Sequence, residues 1–309
     1  MMVFHKMNNK TMMKRMKLNF VTALGCWVIA ACFLACSSSD EDTPTNNVRK
    51  LRQLTIADAP LTRVTLTDNE TMLGAIWNKN DVATYLNMSQ LEIEELVYGN
   101  LTASKSAETT TLVGTVFCME GDLLAVVYPA VEPAVGDGSY TIDLDGQKGT
   151  LDDIAQRYHY VFGVAEVEAV TDNTATAFIQ SMQPLLAVCK FTFKDEDGNA
   201  IPVKTLDIIY DNTPGYPLSA TVTPAMDPSD MEPEPNDIYT PLSITLDSET
   251  STGVYVALFP GGEYSEFFDS RLEFSFMVTG SQGTYTGKAK AVLNAGRFYP
   301  VSLKMTLSN

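Results

Sequence analysis

Apolar and polar positions alternate along most of the chain in short runs separated by turn residues. Residues 51–56 (LRQLTI) and 64–67 alternate with the period of two that a half-buried strand requires. Residues 72–77 and 82–88 bracket the turn Asn78-Lys79-Asn80-Asp81. Residues 112–119 and 123–128 bracket Glu120-Gly121-Asp122, a hairpin signal. Further strands are predicted at 140–144, 188–193, 203–210, 242–246, 254–259, 271–278, 284–289 and 299–307. Only 151–158 reads as a helix, with Thr150 as N-cap and Asp153 three positions on, in the manner of a capping box. Many short strands with regular turns predict an all-β sandwich or barrel.

An echo within the pattern suggests two domains. Ala125-Val126-Val127-Tyr128-Pro129 resembles Val256-Ala257-Leu258-Phe259-Pro260, and the polar stretch 171–176 lies between the copies. The expected division is 48–172 and 173–309, two units of the common domain size. Residues 225–237 (AMDPSDMEPEPND) are rich in proline and acid and read as a disordered loop within the second unit.

The N-terminal pattern is different. Residues 1–19 are basic and rich in methionine, with MKLNF at Met16 reading like a signal-peptide opening. Residues 20–35 (FVTALGCWVIAACFLA) are apolar and uncharged, shorter than the roughly twenty residues of a membrane span. A basic segment followed by an apolar one is a secretory signal, here 1–35. Phe33-Leu34-Ala35-Cys36 and Ile29-Ala30-Ala31-Cys32 both resemble the bacterial lipobox, in which cleavage precedes a lipidated cysteine. Cys32 fits the pattern itself better. Cys36 is favoured by context, because the polar, acidic Ser37-Ser38-Ser39-Asp40-Glu41-Asp42 follows at once. Such a run resembles the export signal of surface lipoproteins in Bacteroidetes-type bacteria. Residues 36–47 then read as a flexible tether.

Charge adds to this picture. The chain carries 38 acidic and 21 basic residues, and losing the leader's five positive charges takes the net charge from −17 to −22. That excludes a basic footprint for nucleic acid. Of the two histidines, only His159 lies outside the leader. It sits between Tyr158 and Tyr160 and reads as structural. The acid pairs Asp152/Asp153 and Glu94/Glu95 are adjacent rather than converging. Asp195-Glu196-Asp197-Gly198-Asn199 lacks EF-hand spacing and reads as a turn. Phe259-Pro260-Gly261-Gly262 reads as a corner. Cys118 and Cys189 lie in apolar runs and read as buried thiols, although their pairing is open from sequence. No catalytic residue, metal site or cofactor is expected, and the chain is not read as an enzyme.

The body resembles the fimbrillin-A-like lipoproteins of Bacteroidetes pili. Arg63 followed by Ala75-Ile76-Trp77-Asn78-Lys79-Asn80-Asp81 resembles an early segment of that family. Gly114 with the run 123–129 resembles its hairpin, with Val113 where phenylalanine is usual. Gln147-Lys148-Gly149-Thr150-Leu151-Asp152-Asp153-Ile154 resembles its step into a short helix. Residues 178–193 resemble the opening of its second domain, and Ala295-Gly296-Arg297-Phe298-Tyr299-Pro300-Val301 its closing strand.

The resemblance implies two transthyretin-like, Greek-key β-sandwich domains. It implies a lipid anchor in the outer membrane at the cell surface, and pilus subunits as partners through donated strands. It further implies proteolytic removal of the first strand, for which Arg63 is the candidate; Arg49 and Arg52 would leave most of that strand in place. A role in adhesion to a host or bacterial surface ligand follows. The sequence stops at Asn309, right after its apparent last strand, with no obvious extra segment to serve as a donor; this departs from the stalk-subunit pattern, and a tip, accessory or non-polymerising surface lipoprotein fits as well. The rival expectation is a glycan-binding surface lipoprotein of a polysaccharide-uptake system. Trp77, the one tryptophan beyond the leader, is a poor supply of stacking platforms for it.

Overall fold

The computed structural model describes residues 48–60, 67–68, 73–74, 76–91, 95–210, 215–231, 233–236, 239–261 and 272–308. All belong to one compact unit. The architecture is all-β. The longer strands are β1 (Lys50–Pro60), β2 (Val82–Asn87), β3 (Tyr98–Ala103), β4 (Thr109–Cys118), β5 (Leu123–Tyr128) and β6 (Tyr140–Asp143). After a helical segment come β7 (Val161–Val170), β8 (Thr174–Pro184), β9 (Ala187–Lys194), β10 (Val203–Tyr210), β11 (Ser219–Val222) and β12 (Leu242–Thr250). The last are β13 (Val254–Leu258), β14 (Leu272–Gly280), β15 (Gly283–Ala291) and β16 (Phe298–Lys304).

The first sheet system runs β1-β8-β7-β5-β2-β3-β4 and closes on itself through β4 and β1. Its interior holds Leu54, Ile56, Trp77, Tyr85, Leu101, Leu112, Val126 and Val167 among others. The turn at Asp172-Asn173 joins β7 to β8 within this system, so the chain leaves it only after Pro184. A second pair of sheets packs the remainder. One runs β13-β9-β16, with β9 and β16 parallel; the other runs β12-β10-β14-β15 and ends on the two-residue strand Thr306–Leu307. Between them stack Phe191, Phe193, Phe274 and Phe276, with ring centroids 5.1 to 6.3 Å apart.

β5 explains why the run LLAVVY is apolar throughout rather than alternating. Leu124, Val126 and Tyr128 face the first core, while Ala125 and Val127 face the second. A strand covered on both faces has no position left for a polar side chain. β6, the helical segment and β11 also feed the second core, through Tyr140, Ile142, Ile154, Tyr158, Ala220 and Val222.

The helix forms where the pattern places it, as an α turn at Leu151–Asp153 running into a π turn at Ile154–Tyr158. Thr150 caps it by accepting from the Asp153 N–H at 3.2 Å. The return bond differs from a capping box: the Asp153 carboxylate accepts from the Lys148 N–H at 2.8 Å.

The hairpin expected around Glu120-Gly121-Asp122 does not form. β4 pairs with β1 and β3, whereas β5 pairs with β2 and β7, so the turn is an arch between two faces. Gly121, at φ +84, donates its N–H to the Val167 carbonyl at 2.8 Å and draws the arch toward β7. The described residues of the acid-rich stretch, 225–231 and 233–236, take places in the fold that its composition does not suggest. Glu234–Pro235 pairs with β11, and Met231 is buried in the second core. The Asp195 turn forms as expected, its carboxylate accepting from the Asn199 N–H and side-chain amide at 2.7 and 2.9 Å.

Candidate functional site

β1 is the element whose position most needs explaining, because among the described residues it is the only strand that pairs with both β4 and β8. It runs antiparallel to β4, from Lys50 opposite Cys118 to Pro60 opposite Thr109. It runs parallel to β8, from Gln53 opposite Thr174 to Ile56 opposite Ala177. Its inward side chains are Arg52, Leu54, Ile56 and, past a bulge, Ala59. Asp58 absorbs the bulge at φ 48, a conformation that aspartate tolerates better than most residues.

Charged and polar side chains hold the start of the strand. The Arg49 guanidinium donates to Asp122 through Nε at 3.1 Å and Nη2 at 2.7 Å. Asp122 is 1% exposed, and it also accepts from Asn87 Nδ2 at 2.9 Å and from the Met119 N–H at 3.1 Å. Burial pushes the Asp122 pKa up, but the bonds from Arg49, Asn87 and Met119 outweigh it and hold the carboxyl below its ordinary value. Arg52, 2% exposed, donates to the Thr171 carbonyl at 2.6 Å and to the carbonyls of Cys118 and Val48. Lys50 pairs with Asp172 at 2.8 Å on the exposed face.

A tryptophan holds the far end. Trp77 is fully buried, donates Nε1–H to the Ala59 carbonyl at 3.3 Å, and meets Tyr128 edge-on at 5.2 Å. Trp77 is therefore a structural anchor and offers no face to a sugar.

β3 and β4 approach closely but share only two register pairs, Thr102 with Val113 and Ala103 with Leu112. Farther along β4, side chains serve its carbonyls. Tyr85 donates to Thr115 at 3.1 Å, and Asn87 and Gln90 donate to Phe117 at 3.2 and 3.3 Å. Gly114 stands at the crossing, where a Cβ would lie 2.4 Å from the Asn100 carbonyl oxygen. That contact is the physical content of this glycine's motif.

The Gln147 motif has a different content. The buried Gln147 amide accepts from the Ala257 N–H at 2.8 Å and donates to the Ala257 carbonyl at 3.0 Å. The Tyr255 N–H donates to the Gly149 carbonyl at 3.0 Å. Residues 147–149 thus cover the outer edge of β13, which otherwise has β9 on one side only.

Cys36, Cys32 and Arg63 lie outside the described residues. Cys118 and Cys189 are free, buried thiols that belong to different cores, and burial pushes both thiol pKa values up. His159 is buried just past the helical segment. Among the described residues no three His, Cys, Asp or Glu side chains converge as metal ligands would. No helix among them is long and apolar enough to cross a membrane. Sequence reading passed over Asp122, because an acid in a turn ordinarily faces solvent. The signal available was its position directly before a fully apolar strand.

No protein-family model matches the chain, and no curated protein matches it. By structure it is similar to a candidate cell adhesion protein of Bacteroides uniformis, with a TM-score of 0.52 and 14% identity over 85% of this chain and 94% of that one. Proteins of the same description from Bacteroides eggerthii and Bacteroides fragilis align with TM-scores of 0.42 and 0.43 at 12% and 11% identity. They cover 84% of this chain each, and 88% and 94% of their own. At this identity the likeness to the Bacteroides uniformis protein is one of fold.

Proposed function

We propose that the protein is a lipid-anchored surface lipoprotein of the outer membrane and a fimbrillin-type pilus subunit. In this reading it assembles by strand addition between two-domain subunits and serves adhesion. The observation that carries the reading is the placement of β1. Among the described residues it alone joins β4 to β8, so its loss would leave the facing edges of both strands without their partner. Unpaired N–H and C=O groups along such a gap are a template for a strand from another subunit.

The surroundings of the basic residues favour Arg63 as the processing site. Arg49 is tied to Asp122 and Arg52 is buried, so a protease meets neither as an extended exposed substrate. β1 ends at Pro60, three residues before Arg63. The name of the Bacteroides uniformis protein supports an adhesive role in the same direction.

N-terminal sequencing of the cell-surface form tests the proposal. The expected N-terminus is residue 64 in assembled material and lipidated Cys36 in the precursor. Arg63→Ala is expected to block the first, and Cys36→Ala to abolish palmitate incorporation. Assembly that proceeds with β1 still attached would refute strand addition at this site.

A further inference from the structure

The start of β1 brings two arginines, three residues apart, to groups that belong to the walls of the gap. Arg49 donates to both oxygens of Asp122, a carboxylate 1% exposed in the arch between β4 and β5. Arg52 donates to the carbonyls of Thr171 and Cys118. Those two carbonyls stand on opposite sides of β1, since Cys118 ends β4 and Thr171 opens the turn into β8. Leu54 and Ile56 follow Arg52 on the same face and enter the core.

We propose that Asp122 and the carbonyls of Cys118 and Thr171 form a cradle that selects the strand replacing β1. It accepts a partner strand with basic residues at the positions of Arg49 and Arg52 and apolar residues at those of Leu54 and Ile56. The proposal rests on the reading that β1 is exchanged for a partner's strand. An all-apolar strand would satisfy the core but leave Asp122 buried without its counter-charge, a large penalty for a desolvated carboxylate. It would also leave the Thr171 and Cys118 carbonyls without the guanidinium donors. The arginines set register as well. A slip by one residue turns Arg52 outward and brings Leu51 and Gln53 to the core face.

The test uses the full chain with a protease site inserted between Pro60 and Thr67 and cleaved after folding, so that β1 remains bound without a covalent link. The nicked protein is challenged with fluorescent peptides spanning residues 48–60, and exchange is read by anisotropy and native mass spectrometry. One peptide carries the natural sequence. The others carry Arg49→Ala, Arg52→Ala or both, with every apolar residue kept. The natural peptide is expected to enter, and the doubly substituted one to bind more weakly by at least about thirtyfold. In Asp122→Asn protein the Arg49→Ala penalty should vanish while the Arg52→Ala penalty persists. Should that variant fail to fold, the peptide series in the unaltered protein decides alone. Equal entry of all peptides overturns the cradle and leaves strand exchange standing. Entry of none overturns strand exchange itself, and the cradle with it.

Discussion

A carboxylate removed from water needs its charge met by donors. Asp122 has the guanidinium of Arg49, the amide of Asn87 and the N–H of Met119. Its pKa is lower in the folded chain than in the unfolded one. The stabilisation is therefore complete above the ordinary aspartate value of about 4 and is lost as pH falls through the lower folded value. Urea unfolding from pH 7 to 2.5 should show a midpoint that falls below about pH 4, more steeply in the natural protein than in Asp122→Asn. At pH 7 that substitution should cost about 2 kcal/mol, the scale of a hydrogen bond to a charged group. Identical acid slopes in the two proteins would remove Asp122 from the account. Gly114 makes a steric prediction instead. Gly114→Ala forces a methyl against the Asn100 carbonyl and should cost about 2 kcal/mol in thermal unfolding. An unchanged midpoint would mean that β3 yields.

At the scale of elements, alternation made most strands legible, because a sheet with one buried face writes its period directly into the sequence. β1, β9, β10 and β13 fall where the pattern puts them. Pairing was not legible. The apolar runs on either side of Glu120-Gly121-Asp122 look the same whether the turn reverses within a sheet or arches between faces; the buried partners of Asp122 decide it. β3 (YGNLTA) was missed, since glycine and asparagine mask its period and only Leu101 and Ala103 turn fully inward. The Gln147 motif was visible, but its purpose was not, because Ala257 lies 110 residues away. Gln147→Ala should strip two hydrogen bonds from the edge of β13 at a cost of about 2–3 kcal/mol. An uncovered edge is also a template for intermolecular pairing. The variant is therefore expected to aggregate on mild heating, as followed by light scattering. A variant that stays monomeric with an unshifted midpoint would show that Gly149 and Tyr255 cover the edge unaided.

For the whole molecule, the two cores share strands rather than merely touching. β5 gives Val126 to the first core and Val127 to the second, and β2 and β7 divide their side chains in the same way through Tyr85 and Leu86, and Val161 and Phe162. Losing the order of β5 therefore opens both cores at once, and neither has a cheap route to unfold alone. Calorimetry should show one heat-capacity peak with equal calorimetric and van't Hoff enthalpies. Val126→Ala and Val127→Ala each remove two methyl groups from a different core, at about 2 kcal/mol apiece. Each should lower that single peak by about 4–8 °C. Two peaks, one moved by Val126→Ala and the other by Val127→Ala, would show separate folding units. The distinction bears on assembly. If β5 couples the cores, then in the proposed assembly loss of β1 would weaken the whole subunit until a partner strand arrived, and strand addition would be the step that restores its stability.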